Sequence, residues 1–130
     1  MQMSYKKITV NPNGSAIQLN LTFTGTNTLI SYRWNLWETR GNGKYYPSSK
    51  VGTNQNPYDD SFTLPLPVAE NVGRMVVIDY GVILIDPNVD SKNWSVSAEI
   101  VQDGASKGFV TDNGSLEGNS LSSSIYISLI

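Results

Sequence analysis

The sequence of 130 residues contains no histidine and no cysteine. Histidine is the side chain that most often acts as a general base, and cysteine is the most readily activated nucleophile. A Ser-His-Asp triad is therefore excluded, and zinc and copper sites lose their usual ligands. The lack of cysteine also excludes the disulfide-stapled class of small secreted proteins. We expect a protein that is not an enzyme.

Charged residues make up only 15% of the chain, and the net charge is −2. Typical globular chains contain about 25% charged residues. A nucleic-acid-binding surface needs clustered basic residues, so we expect no nucleic acid partner. No apolar run approaches the roughly 20 residues of a membrane span. No apolar segment follows Lys6 and Lys7, so we expect no secretory signal, which leaves cytoplasmic synthesis or earlier removal of a signal.

The longest apolar run, residues 73–85, is rich in β-branched side chains and is typical of a strand. Both of its alternating faces are mostly apolar. A strand has this composition when both faces are covered, or when one face is covered and the other is buried in an interface. Asp79 and Gly81 interrupt the odd-numbered face. The glycine indicates a bulge or a close backbone approach. Asp79 is interpreted as an outward-facing or bulge residue that bonds a neighbouring group, and the alternative is a buried acid.

Other segments alternate apolar and polar residues with a period of two, as half-buried strands do. The clearest of them are residues 17–24, 28–38, 94–100 and 121–129. Shorter strands are predicted between turns rich in Asn, Asp and Gly, and the tripeptide 112–114 is predicted to be one of those turns. The pattern gives about 8–9 strands. It predicts one all-β domain over residues 1–130, an antiparallel β-sandwich of immunoglobulin-like or jelly-roll type with no significant helix.

The strand that carries Trp34, followed by a long strand, resembles the immunoglobulin-like sandwiches at the level of fold, although the cysteine pair of that family is absent. Trp34 and Trp94 fall in inward register, so both are predicted core residues. Trp37 falls on the polar side of its strand. It precedes residues 39–60, which are predicted to form a long loop with a short edge strand at Tyr45 and Tyr46, and long loops in compact domains are often functional.

We predict a ligand-binding site around Trp37 and this loop. The candidate residues are Trp37, Arg40, Asn42, Tyr45, Tyr46 and Tyr58. An aromatic ring covers the apolar face of a sugar, while amides and carboxylates bond its hydroxyls, so one hypothesis is a lectin-like module that binds a glycan. The alternative for Trp37 is that the loop covers it and closes a second small core.

The same side chains are enriched at protein interfaces, which supports a second hypothesis. In this hypothesis the chain is a structural or assembly subunit, such as a component of a virion, an appendage, an inclusion or a toxin. Its partner is then a protein, either another protein or a second copy in a homo-oligomer. The terminal strand, residues 121–130, is a candidate for addition to a neighbour's sheet.

Asp86, Asn88 and Asp90 form the pattern D-x-N-x-D, which supplies oxygen ligands in calcium loops. The pattern does not continue as an EF-hand, because Ser91 stands where glycine is needed and Ser97 stands where a bidentate glutamate is needed. We expect no cofactor. A calcium site of another kind is the alternative to an ordinary Asx-rich turn at this loop.

Overall fold

The computed structural model describes residues 3–38, 45–53 and 60–130. In these residues it has nine strands and one 3-10 helical turn, Val68–Asn71. The strands are β1 (Met3–Ile8), β2 (Gln18–Gly25), β3 (Thr28–Glu38), β4 (Tyr45–Thr53), β5 (Asp60–Thr63), β6 (Arg74–Leu84), β7 (Asn93–Gln102), β8 (Ala105–Ser115) and β9 (Ser120–Leu129). The predicted all-β fold is confirmed.

The strands form two sheets that pack face to face around one core. The five-stranded sheet has the order β1-β9-β6-β3-β4, and the four-stranded sheet has the order β5-β2-β7-β8. Only β3–β4 and β7–β8 are consecutive strands that pair in one sheet, so every other connection between the described strands crosses to the opposite sheet. All described pairs are antiparallel except β1 with β9, which is parallel. The sandwich is therefore antiparallel with one exception, at an edge.

β6 lies between β3 and β9, in the interior of its sheet, as its apolar composition suggests. Its even-numbered side chains face the core, and Val76, Ile78 and Val82 are fully buried. Each such side chain contributes roughly 1.5–3 kcal/mol to folding by leaving water. The odd-numbered side chains lie on the outer face, where Ile83 is 48% exposed. The structure therefore shows one covered face, and burial of the outer face in an interface stays a prediction.

Gly81 does not mark a bulge. The pairing of β6 with both neighbours passes through Gly81 without a shift, and a Cβ there would lie 3.8 Å from its nearest neighbours, so the backbones do not approach closely. The register shifts instead between Trp34 and Leu36 in the β3–β4 pair and between Ile100 and Val101 in the β7–β8 pair.

Two strands are longer than the sequence predicts. β4 occupies nine residues of the segment for which the sequence predicts a loop. Its proline, Pro47, is tolerated because β4 lies at the edge of its sheet. The predicted turn at residues 112–114 is wrong, because the tripeptide continues β8. Asp112 is buried and accepts a hydrogen bond from Tyr80, and Gly114 lies against the indole of Trp94. These tertiary contacts outweigh the local turn preference.

The edge strands β1 and β8 close one side of the sandwich. The ammonium of Lys6 donates to the carbonyl oxygen of Phe109 at 3.2 Å and lies 5.6 Å from the centre of its ring. The hydroxyl of Ser4 donates to the carboxylate of Asp112. A Cβ at Gly108 would be 3.2 Å from Ile8, which shows how closely the two edges pack. This side therefore offers little room for a partner strand.

The two ends of the sandwich carry different side chains. Thr28 begins β3 at one end, where its hydroxyl donates to the carbonyl oxygen of Asn93, next to Trp94. Trp37 lies near the other end of β3. The separation along the strand is about 30 Å at the usual rise per residue. We call these the Trp94 end and the Trp37 end.

Candidate functional site

Trp37 lies on the outer face of the five-stranded sheet and is 37% exposed. Its partner across the strand pair is Met75 of β6, and the next outer residue of β6, Val77, pairs with Tyr126 of β9. These four side chains and Asp79 line one groove of about 350 Å³, which we call the Trp37 groove. The outward register predicted for Trp37 is confirmed. The sheet brings aromatic side chains from β3 and β9 to the two sides of an apolar floor.

Asp79 supplies the only carboxylate among the described residues that line the groove. It is exposed, and one of its carboxylate oxygens accepts a hydrogen bond of 2.5 Å from the hydroxyl of Ser124. Arg33 is its cross-strand partner on β3 and is also exposed. The interpretation of Asp79 as an outward acid bonded to a neighbour is therefore confirmed. The Ser124 bond orients the carboxylate and leaves it further capacity to accept hydrogen bonds.

The other predicted site residues are only partly described. The register of β4 places Tyr45 beside Trp37 and Tyr46 beside Leu36 in neighbouring strands. The predictions for Arg40, Asn42 and Tyr58 fall outside the described residues. The described part of the site is therefore Trp37 with the backbone of β4 next to it, and the remaining residues stay a prediction.

The loop with the predicted calcium ligands forms an Asx turn. One carboxylate oxygen of Asp86 accepts from the backbone N–H of Asn88 at 2.9 Å, and Asp86, Asn88 and Asp90 are all exposed. The side-chain amide of Asn27, in the turn between β2 and β3, donates to the carbonyl oxygens of Asp86 and Ser91. These bonds tie the loop to that turn. In the described ranges no group of three or more acidic side chains is placed to share a metal ion. Calcium binding at this loop stays a prediction.

A buried carboxylate lies inside the sandwich, away from the groove. Asp112 is 2% exposed and accepts a hydrogen bond of 2.6 Å from the hydroxyl of Tyr80 as well as one from Ser4. Burial, together with this bond and the charge of Asp112, raises the pKa of Tyr80 above its usual 10.0. Tyr80 therefore stays protonated and acts as a donor. The ring of Tyr80 packs 5.6 Å from that of Trp94, so the hydrogen-bonded tyrosine also forms one side of the packing around this tryptophan.

Sequence reasoning missed several residues that line cavities. Met75, Val77 and Tyr126 belong to the Trp37 groove, and the available signal was the apolar odd-numbered face of β6 beside an outward tyrosine in β9. Trp94 is buried, 3% exposed, as predicted for a core residue, but it also lines a second cavity of about 370 Å³. We call this cavity the Trp94 cleft, and its lining residues are Trp94, Gly114, Ser115, Glu117, Gly118, Ser120, Leu121 and Ser122. No pattern in the sequence marks it.

Within the described ranges, no helix has the length and apolarity needed to cross a membrane. Comparison of the chain with models of protein families, with curated proteins and with solved structures finds no significant match.

Proposed function

We propose that this protein is a non-catalytic, lectin-like module that binds a glycan in the Trp37 groove. The observation that carries the proposal is that Trp37 and Tyr126, from strands on either side of β6, line one groove together with Asp79. The volume of about 350 Å³ lies within the range of small-ligand sites, roughly 300–1,000 Å³.

The chemistry of the groove matches the two kinds of surface that a sugar ring presents. Aromatic side chains and the aliphatic floor of Met75 and Val77 suit the C–H-rich face of the ring. The carboxylate of Asp79 suits the hydroxyls, and hydrogen bonds to a charged acceptor are stronger than those between neutral groups. Arg33, the exposed cross-strand partner of Asp79, is a planar donor on the same face of the sheet.

The groove favours binding over bond cleavage. Hydrolysis of a glycosidic bond normally uses two carboxyl groups on opposite sides of the bond, about 5–9.5 Å apart. Asp79 is the only acid among the described residues that line the groove, and it is exposed. With no histidine or cysteine in the chain, the side chains that most often assist a lone carboxylate are missing.

A glycan array tests the proposal. We expect the native protein to bind at least one glycan class, and we expect Trp37→Ala to lose that binding because the ring supplies much of the contact area. Phe109→Ala is the matched control, since it removes another exposed aromatic ring, 58% exposed, that lies on β8 away from the groove. Retention of all array signals by Trp37→Ala, or loss of them in Phe109→Ala, would contradict the proposal.

A second candidate function is assembly with further copies of the chain. The observation that favours it is a group of exposed apolar side chains at the Trp94 end, where Ile83, Ile85 and Val89 are 48%, 58% and 43% exposed. Exposed apolar patches commonly mark protein interfaces. β9 pairs with β1 on one side and β6 on the other, so its own pairing edges are already occupied. Strand addition is left to the edge strands β4 and β5, because β1 and β8 pack against each other.

Light scattering after size-exclusion chromatography tests this candidate. If copies associate through the patch, we expect a dimer or larger species that dissociates in the double variant Ile83→Ser and Ile85→Ser. Leu66→Ser is the matched control, because Leu66 is 69% exposed and belongs to another part of the chain. A monomer at all concentrations would contradict assembly through the patch and would not bear on the glycan proposal.

A further inference from the structure

We propose that the Trp37 groove continues along β6 into a second hollow, and that the two cavities together bind one linear oligosaccharide. This oligosaccharide site depends on the proposed function of the groove and adds the class of glycan to it. The second hollow has a volume of about 360 Å³, and its lining includes Asp79, Gly81, Ser122 and Ser124. We call it the Gly81 hollow. Asp79 lines both cavities, so they meet at this residue.

Alternate residues of one strand lie along both cavities. Met75 and Val77 of β6 line the Trp37 groove, Gly81 lines the hollow, and Asp79 comes between them on the same face. Six residues separate Met75 from Gly81, which corresponds to about 20 Å at the usual rise in a strand. β3 and β9 flank β6 on its two sides. We call the two cavities together the β6 trough, and its length exceeds that of a single sugar ring several times.

Gly81 is the residue that points to a ligand in the hollow. A glycine inside a strand weakens the strand, and it often marks a bulge, a tight bend or a close approach by another backbone or by a ligand. The pairing of β6 passes through Gly81 without a bulge, and its φ is not positive. Within the described part of the chain, a Cβ at Gly81 would have its nearest neighbours at 3.8 Å, an ordinary contact. The fold therefore does not require glycine here, and the cause that remains is a ligand that approaches the strand from its outer face.

Hydroxyl groups lie on both sides of Gly81. Its cross-strand partners are Ser31 of β3 and Ser122 of β9, and both serines are exposed. At the junction with the Trp37 groove, the hydroxyl of Ser124 donates to the carboxylate of Asp79 and holds it on the β9 side. Serine hydroxyls donate and accept hydrogen bonds, and the carboxylate accepts them. A sugar residue over Gly81 would therefore meet hydrogen-bonding groups on either side and a carboxylate at one end.

The pairing of β6 favours an oligosaccharide over a peptide. β6 pairs with β3 and with β9 along the whole trough, so its backbone groups are already occupied. An extended peptide usually gains affinity by adding to an open sheet edge, which an interior strand does not offer. A sugar chain needs only side chains as partners. The aromatic rings of Trp37 and Tyr126 suit the C–H face of one sugar ring, and the serines around the hollow suit the hydroxyls of the next.

The dependence of affinity on sugar length tests the proposal. The probes are cello-, malto-, xylo- and N-acetylated chito-oligosaccharides, each as the disaccharide and as the pentasaccharide, titrated into the full chain by isothermal titration calorimetry. In at least one series we expect the pentasaccharide to bind at least tenfold more tightly than the disaccharide, because only the longer sugar reaches the Gly81 hollow. Trp37→Ala should weaken the binding of both lengths.

Gly81→Val should abolish the tenfold gain, because the new side chain fills the hollow, and it should leave the affinity for the disaccharide as it is. The variant should fold, since a Cβ at this position meets no clash and valine favours strands. Thr22→Val is the matched control: it adds the same side chain at an exposed position of β2, in the other sheet, and should change neither affinity. Ser122→Ala tests the same hollow with a smaller change, and we expect a loss of several-fold for the pentasaccharide alone.

Equal affinities for the disaccharide and the pentasaccharide, lost together in Trp37→Ala, would overturn the β6 trough and would support the Trp37 groove as a site of its own. An unchanged affinity of folded Gly81→Val for the pentasaccharide would also overturn the trough, as would equal losses for both lengths. If none of the four series binds, the trough is contradicted, and the glycan array decides on the groove separately. A change in the oligomeric state of Gly81→Val without a change in sugar binding would assign the hollow to a contact between copies of the chain.

Discussion

The Trp37 groove and the Trp94 cleft differ in how the fold builds them. The groove lies on the outer face of one sheet and is made by alternate residues of three neighbouring strands. The cleft lies between the sheets, and its tryptophan is also a core residue that packs on Tyr80. We therefore expect the exposed side chains of the groove, Trp37 and Asp79, to contribute little to stability, whereas Trp94 contributes to the core and to the cleft at once.

Replacement of each tryptophan by alanine should separate the two regions most clearly. Trp94→Ala leaves a cavity in the core, and we expect the free energy of unfolding to fall by about 3–5 kcal/mol. Trp37→Ala removes a side chain that is 37% exposed, and we expect a loss of roughly 1 kcal/mol. Urea denaturation followed by circular dichroism measures both. Equal losses would show that Trp37 is as much a core residue as Trp94.

Replacement of the buried carboxylate of Asp112 and of the exposed carboxylate of Asp79 should give a smaller difference in the free energy of unfolding. Asp112→Ala leaves the buried hydroxyl of Tyr80 without its acceptor, and we expect a loss of about 2–3 kcal/mol. Asp79→Ala removes an exposed carboxylate bonded to Ser124, and we expect a change of about 0.5 kcal/mol or less. Asp112→Asn, which keeps an acceptor oxygen, should lie between them. A larger loss in Asp79→Ala than in Asp112→Ala would reverse the assignment of buried and exposed roles.

Tyr80, which packs on Trp94, should make the free energy of unfolding sensitive to alkaline pH. Burial, assisted by the bond to Asp112, raises the pKa of Tyr80 above 10.0, so the unfolded chain releases this proton at a lower pH than the folded protein does. Its contribution is complete below about pH 10 and is lost as the pH rises toward the folded pKa. Tyr32, whose pKa is raised mainly by burial and also by Asp60, behaves in the same way.

We therefore expect the free energy of unfolding to fall between about pH 10 and pH 12, and to fall less steeply in Tyr80→Phe, by roughly 1 kcal/mol over this interval. Denaturation at several pH values measures the slope. Tyr126→Phe, in the groove, is the control because its ring is half-buried on the outer face. An unchanged slope in Tyr80→Phe would show that its hydroxyl is not held as the structure has it.

The smallest effect on stability is expected at Gly114. Its Cβ would meet the indole of Trp94 at 3.5 Å, an ordinary contact, so Gly114→Ala should change the free energy of unfolding by no more than about 0.5 kcal/mol. The melting temperature measures this. A large loss would mean that the space beside the indole is tighter than the structure shows, and the cleft would then be part of the core alone.

The alternation of side chains predicts the sandwich and the outward position of Trp37, because both follow from the two-residue period of a strand. It does not predict the length of β8, since Asp112 and Gly114 resemble turn residues until Tyr80 and Trp94 are placed beside them. It also does not predict the parallel pair of β1 and β9, which depends on the sheet topology. The Trp94 cleft escapes prediction for the same reason, as its walls come from strands that are far apart in sequence.

Glycan recognition by the Trp37 groove is the central claim, and isothermal titration calorimetry with the strongest glycan from the array tests it most directly. We predict saturable binding to the native protein, with a loss of at least tenfold in Trp37→Ala, which corresponds to about 1.4 kcal/mol or more. Both proteins should show the same far-ultraviolet circular dichroism spectrum. Equal affinities for the native protein and for folded Trp37→Ala would contradict the claim.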